Sequence, residues 1–271
     1  MYPYTLFFGM GLYELLMAVG VIAAIVIFAR FSNLFKISAG IHNLVLLNAV
    51  LTVMFGYLTS VLTQAFYNML GGETQGYEVT KTTGATFLGG LIGGAVFFIA
   101  FYFLYGKLNK KLPKGETLRY FPLIADIAAV CIPAAHGFGR LGCLMAGCCY
   151  GRVYDAPTAF TFHFPLVNVN DEVVGYRDAL PVQLYEAVFL FLLAAVLGVL
   201  LARGVRGGLA YYMIAYGVWR FFIEYLRGDE RGSTVVDFLS PSQLVSLFLM
   251  VGGVVLLALT IRRGVKNAEN V

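Results

Sequence analysis

The stretch ADIAAVCIPAAHGFGRLGCLMAGCCYGR, residues 125–152, decides the fold. Between Asp126 and Arg152 its one charged side chain is Arg140, and no polar face recurs at helical spacing. A helix crosses the hydrocarbon of a bilayer with about 20 mostly apolar residues, whereas a soluble helix of that length keeps a polar stripe. The stretch therefore reads as a membrane span. The same criterion, applied outward, predicts seven spans at 8–29, 41–66, 84–106, 119–147, 182–202, 208–227 and 242–261. The fold class expected is an all-α integral membrane protein with about seven transmembrane helices, a single transmembrane domain over 1–271. The whole chain agrees: 59% of its 271 residues are hydrophobic, 13% are charged, and the mean hydropathy is +0.79. Charge this sparse and only four Cys exclude a disordered chain, a disulfide-stapled domain and a nucleic-acid binder. No basic residue precedes the first span and no small-residue cleavage pattern follows it before Arg30, so it is expected to be retained.

Basic residues mark the cytoplasmic ends of spans. The loops after spans one, three and five, with the C-terminal tail, carry Arg30, Lys36, Lys107, Lys110, Lys111, Lys114, Arg119, Arg203, Arg206, Arg262, Arg263 and Lys266. The other side carries Lys81, Arg152, Arg177, Arg227 and Arg231, among nine acidic residues. Twelve against five places the N-terminus outside and the C-terminus in the cytoplasm, which an odd number of spans requires. Residues 66–83 and 150–180 are polar and rich in Gly, Asn and aromatics. The second forms a small extramembrane cap on the outer face, with a short strand expected in TAFTFHFP.

An ionisable side chain at membrane depth costs several kcal/mol unless it is partnered or faces a cavity, so each is a functional candidate. The spans hold six, Glu14, Asp126, Arg140, Glu186, Arg220 and Glu224, joined by Tyr13, His136, Gln183, Tyr185 and Tyr216. In YGVWRFFIEYLRGDERG (216–232), Tyr216, Arg220, Glu224 and Arg227 fall on one helical stripe. Arg220 and Glu224 are either a neutralised structural pair or, with the surplus Arg, a seat for a lipid phosphate. In span four, Pro133, Gly137, Gly139, Gly142, Gly147 and Gly151 predict a broken helix, or else close helix packing. Arg140 beside loosened backbone favours an anionic head group, with Asp126 as partner to an Arg. Cys143, Cys148 and Cys149 lack paired C-x2-C ligand spacing, so no metal is expected; packing is the plain reading and a reactive thiol the sharper one. His42 and His163 read as polar surface or capping residues, and GGLIGG (89–94) as a helix-packing face.

HGFGRLGCLMAGCCYGR (136–152), PVQLYEA (181–187) and YGVWRFFIEYLRGDERG resemble, in that order, the motifs of the prolipoprotein diacylglyceryl transferases. The resemblance implies a seven-span bacterial inner-membrane enzyme with an outward N-terminus. It implies transfer of the diacylglyceryl group of phosphatidylglycerol to the thiol of a prolipoprotein lipobox cysteine, with release of glycerol phosphate and without cofactor or metal. Implied partners are phosphatidylglycerol or another anionic phospholipid and the prolipoprotein signal sequence; no nucleic acid partner is expected, and the chain is expected to be a monomer. Arg140, Gly142, Gly151 and Arg152 match the family's G-R-x-G-N-x-x-N-G-E-x-x-G-R signature, and Asp126 an Asp fourteen residues before its Arg. Gln183, Tyr185 and Glu186 match its H-P-x-Q-L-Y-E box, Arg220, Glu224 and Arg227 its R-x-x-x-E-x-x-R box, and Tyr13 its first-span Tyr. Cys143 stands for the signature Asn, Cys148 for its acid, Leu180 for the His of the His-Pro pair, and Leu88 for a His held to act in catalysis.

Arg140 and Arg220 are expected to clamp the phosphate, with Glu224 orienting Arg220 and Asp126 supporting Arg140 or the broken helix. Tyr13 or His136 would take the thiol proton, unless the two Arg lower the thiol pKa enough. Two alternatives remain open: a related transferase with another acceptor and a covalent intermediate on Cys148 or Cys149, and a non-catalytic protein that binds or transports an anionic lipid.

Overall fold

The computed structural model describes residues 10–70, 87–167, 173–228 and 239–269. Most of the 66–83 loop, residues 168–172, the acidic run 229–238 and the side chain of Leu88 lie outside the described residues. Among the described residues, seven α-helices overlap the expected spans: α1 (Leu12–Leu34), α2 (Ala39–Leu70), α3 (Phe87–Leu108), α4 (Glu116–Met145), α5 (Val182–Ala202), α6 (Gly208–Ile223) and α7 (Pro241–Glu269). Six are long and apolar enough to cross a bilayer. The exception is α6, whose 16 residues tighten into a 3-10 turn at Glu224–Leu226. Exposed Leu, Val, Ile and Phe line the outer faces of the long helices, as a lipid solvent requires. The chain is a mostly helical, multi-pass membrane protein.

Two compact units form, one of residues 32–122 and one of residues 1–31 with 123–271. In the first, GGLIGG is the packing face its composition suggested. A Cβ at Gly90 would lie 3.0 Å from the Gly56 carbonyl of α2, and one at Gly93 would overlap Thr59. Backbones that close leave no room for side chains on α3 there. Asn48 Nδ2 donates to the Phe98 carbonyl at 2.9 Å, and His42 Nδ1 meets Ser32 Oγ at 2.7 Å. His42 is thus half-buried in a local polar contact rather than a surface or capping residue.

The second unit carries the motifs. Its α4 runs unbroken through Pro133, Gly137, Gly139 and Gly142, so the predicted break in span four is absent. In hydrocarbon, no water competes for the helix hydrogen bonds, and small residues are repaid by close neighbours, so Gly and Pro interrupt a span less than they would a soluble helix. The helix ends instead at Gly147, which has φ 69°. Gly147 N–H donates to Leu144 O at 3.2 Å and Cys148 N–H to Cys143 O at 3.1 Å, a Schellman end that needs the left-handed residue.

The cap is a three-stranded antiparallel sheet, ordered β1 (Val153–Tyr154), β3 (Val173–Ala179), β2 (Phe162–Val167). The strand expected in TAFTFHFP is β2. VVGYRDA, with no clear alternation, is not legible as a strand in sequence; pairing with β2, from Phe162 opposite Ala179 to Val167 opposite Val173, is what makes it β3. Phe164 packs on Leu144 and Ala179, which seats the sheet on the end of α4. His163 Nδ1 lies 3.0 Å from Asp178 Oδ1 across the two strands, a surface pair.

Candidate active site

The site grows from the end of α4 and the start of α5. Arg140, 14% exposed, places its Nε 3.0 Å from Oε2 of Glu186, which is fully buried. The contact is an ion pair without an aligned N–H. The other carboxylate oxygen of Glu186 accepts the Tyr216 hydroxyl of α6 at 3.0 Å. The Tyr216 ring meets His136 edge-on at 5.5 Å and stacks on Tyr212 at 5.7 Å.

One turn beyond Tyr216, Arg220 Nη2 lies 2.8 Å from Glu224 Oε2 and donates to Ser242 Oγ of α7 at 2.9 Å. Ser240 Oγ donates to the other oxygen of Glu224 at 2.9 Å. The expected Arg220–Glu224 pair therefore exists, but it is held by Ser240, just before α7, and Ser242, in its first turn. Their signal was the polar SPSQ run (240–243) opening an otherwise apolar span. Arg140, Arg220 and His136 all lie within electrostatic reach of Glu186. Arg220 Nη1 is buried and finds no hydrogen-bond partner among the described residues.

Backbone stitching joins the three motifs. Gly151 N–H donates to Leu180 O at 2.8 Å, Leu180 N–H to Arg152 O at 3.1 Å and Arg152 N–H to Leu226 O at 3.0 Å. Gly151 and Arg227 thereby form a β-bridge. A Cβ at Gly151 would sit 2.5 Å from both Leu226 O and Val182 Cγ2, so nothing larger fits. Gln183 donates through Nε2 to the Cys148 carbonyl, while its Oε1 is buried with no partner among the described residues. Tyr185 OH donates to Phe160 O of the cap at 3.1 Å. Gly142 lets the Tyr13 backbone and ring close on α4; a Cβ there would lie 3.1 Å from Tyr13 Cδ2.

Two expected members stand apart. Asp126 pairs with Arg206 at 3.1 Å and accepts the backbone N–H groups of Gly207, Gly208 and Leu209, which caps the start of α6. It lies about 21 Å from Arg140 along α4 by the helical rise, so it supports neither Arg140 nor a broken helix. Arg206, read from sequence only as an orientation marker, is its partner. Glu14 accepts Gly11 N–H at 2.9 Å and caps the start of α1. Arg152 holds the stitch through its backbone while its side chain is exposed.

With Asp126 paired elsewhere, Arg140 and Arg220 both lie within electrostatic reach of Glu186, and Arg220 also pairs with Glu224. Residues 4–259 match the family described as prolipoprotein diacylglyceryl transferase.

The chain belongs to that family.

Among the prolipoprotein diacylglyceryl transferases similar to it, one from Clostridium tetani, named a phosphatidylglycerol–prolipoprotein diacylglyceryl transferase, is 31% identical over 255 residues, spanning 91% of this chain and 92% of the relative. A second enzyme of that name from Clostridium perfringens is 36% identical over 146 residues, 53% of this chain and 54% of the relative. One from Aliivibrio fischeri is 31% identical over 217 residues, 78% of this chain and 68% of the relative. The three diacylglyceryl transferase motifs named above are the segments that the Gly151, Gln183 and Arg227 contacts draw to one end of the helices.

Proposed function

We propose that this chain transfers the diacylglyceryl group of phosphatidylglycerol to the thiol of a prolipoprotein lipobox cysteine and releases glycerol phosphate. The acceptor sulfur attacks the glyceryl carbon that carries the phosphate ester. The S–C bond forms, the C–O bond to phosphate breaks with its electron pair leaving on glycerol phosphate, and the thiol proton passes to a base. The observation that carries the reading is Nη1 of Arg220, buried and without a hydrogen-bond partner among the described residues, in a cluster with Arg140. Buried donors are almost always satisfied, so an unfilled one in a basic cluster asks for an anion. As the leaving phosphate gains charge, donors already held by Glu186, Glu224 and Ser242 stabilise it without reorganising.

Gly142, Gly151 and Gln183 shape the seat, Tyr185 anchors the cap, and Arg227 adds positive charge. His136, beside Tyr216 and Glu186, is favoured as proton acceptor; Tyr13, at Gly142, is the other candidate. The protein would sit in the bacterial inner membrane with its N-terminus outside and act as a monomer.

The test uses purified protein, labelled phosphatidylglycerol and a lipobox peptide, with thioether-linked diacylglycerol on the peptide as product. Arg140→Gln and Arg220→Gln should each lose transfer by about a hundredfold or more, the scale of one lost transition-state donor, while still inserting in the membrane. Transfer that survives in either variant would sink the clamp. The convergence of Cys143, Cys148 and Cys149 keeps the covalent alternative in view. Replacing Cys148 and Cys149 together by Ser should leave the clamp mechanism able to turn over and abolish a thiol-bound intermediate.

A further inference from the structure

Three of the four cysteines meet just past the end of α4. The Sγ atoms of Cys143, Cys148 and Cys149 all lie within 4.8 Å of one another, and all three thiols are free. The Schellman end at Gly147 turns the chain back on the helix, and Cys149, at φ 61°, turns it again. A side chain in that left-handed region costs about 1–2 kcal/mol, yet here it brings a third sulfur against the other two. The C-x4-C-C spacing looked wrong for ligands because that rule assumes an extended knuckle; this turn supplies the convergence instead.

The surroundings suit thiolates. Arg227 hydrogen-bonds Cys149, and Arg140 lies within electrostatic reach of Cys143 and Cys149. A zinc–sulfur bond of about 2.3 Å puts the sulfurs of one site roughly 3.8 Å apart, so closing this cluster on an ion takes shifts of about an ångström or less. Cys148 is exposed, which gives an entry path.

We propose that Cys143, Cys148 and Cys149 form a three-thiolate site for a soft cation of the Zn2+ or Cu+ class, with a fourth position open to water or an added ligand. Thiolate sulfur selects soft cations over Mg2+ and Ca2+. On binding, three S–H groups release their protons to solvent and three sulfur–metal bonds form, with no change of oxidation state. The site stands independently of the transfer reaction, since it needs neither phospholipid nor acceptor.

The experiment titrates the full-length protein, reduced and kept anaerobic in detergent without phospholipid, with Cd2+ as a soft-cation probe. The thiolate-to-cadmium charge-transfer band should saturate at one Cd2+ per chain, and three thiols should become shielded from a maleimide. Cys131→Ser should change neither result, because Cys131 sits apart with its thiol on the Ala24 carbonyl. Cys143→Ser and Cys148→Ser should each weaken binding at least by the roughly tenfold that losing even a supporting group costs a metal site. No saturable band, or saturation that persists when all three are Ser, overturns the site. If the triple variant is not recovered, unchanged affinity in Cys148→Ser, a change at an exposed position, overturns it as well. Metal binding is read without turnover, so a failed transfer assay and a failed metal site remain distinguishable.

Discussion

At the scale of single residues, Glu186 carries the most consequence. Fully buried, it holds Arg140 at 3.0 Å and receives the Tyr216 hydroxyl at 3.0 Å. The two contacts differ in what their loss leaves behind. Tyr216→Phe removes one hydrogen bond, worth about 0.6–1 kcal/mol in membrane proteins and in general. Glu186→Gln strands a buried guanidinium, a change that costs about 3–5 kcal/mol when one partner of a buried ion pair is removed. Thermal unfolding in detergent should therefore order the proteins as wild type, Tyr216→Phe and, well below, Glu186→Gln; equal losses in the two variants would refute the pairing. Desolvation cost had already marked Arg140, Glu186, Arg220 and Glu224 as candidates from sequence. Their partners were not legible, because a buried charge announces its need for a counter-ion and not which helix supplies it. Hence Asp126 was assigned to the arginine site, whereas the structure gives it to Arg206 and the start of α6.

At the scale of elements, composition and periodicity behaved differently in helices and strands. Span positions follow from apolar length alone, and α5 begins and ends where the sequence placed it, at residues 182 and 202. The small residues of span four and of GGLIGG carry the same composition but two possible meanings, a break or a contact. Both prove to be contacts, since α4 is continuous and α3 lies backbone-to-backbone on α2. Gly93→Leu is the test at this scale. A side chain whose first carbon would already stand 2.2 Å from Thr59 Oγ1 must push α3 off α2, so the variant should lose at least the roughly 1–3 kcal/mol of an overpacked core. Gly115→Ala, at a position with nothing within 4 Å, should lose only about 1–2 kcal/mol from its left-handed backbone. Matching melting temperatures for the two would contradict the packing. The strand β3 escaped the sequence because its stability lies in pairing with β2, which is a property of two segments.

At the scale of the whole molecule, sidedness is a matter of charge. If the twelve basic residues mark the cytoplasm, a fluorescent protein fused after Val271 should fold and shine, and a periplasmic phosphatase reporter inserted at Pro157 in the cap should be active; the reverse pattern would invert the topology and turn the Arg140 and Arg220 cluster away from the outer leaflet. Sequence by itself determined the solvent, the spans, and the few charged side chains that membrane depth makes expensive, because hydrophobic transfer and desolvation act on residues one at a time or in short windows. Only the tertiary structure decided the rest: that Glu186 and not Asp126 meets Arg140, that Ser240 and Ser242 at the start of α7 hold Glu224 and Arg220, and that three cysteines converge around the turn at Gly147. Those are pairwise facts between segments distant in the chain or reversed by a turn, and no local property of either segment records them.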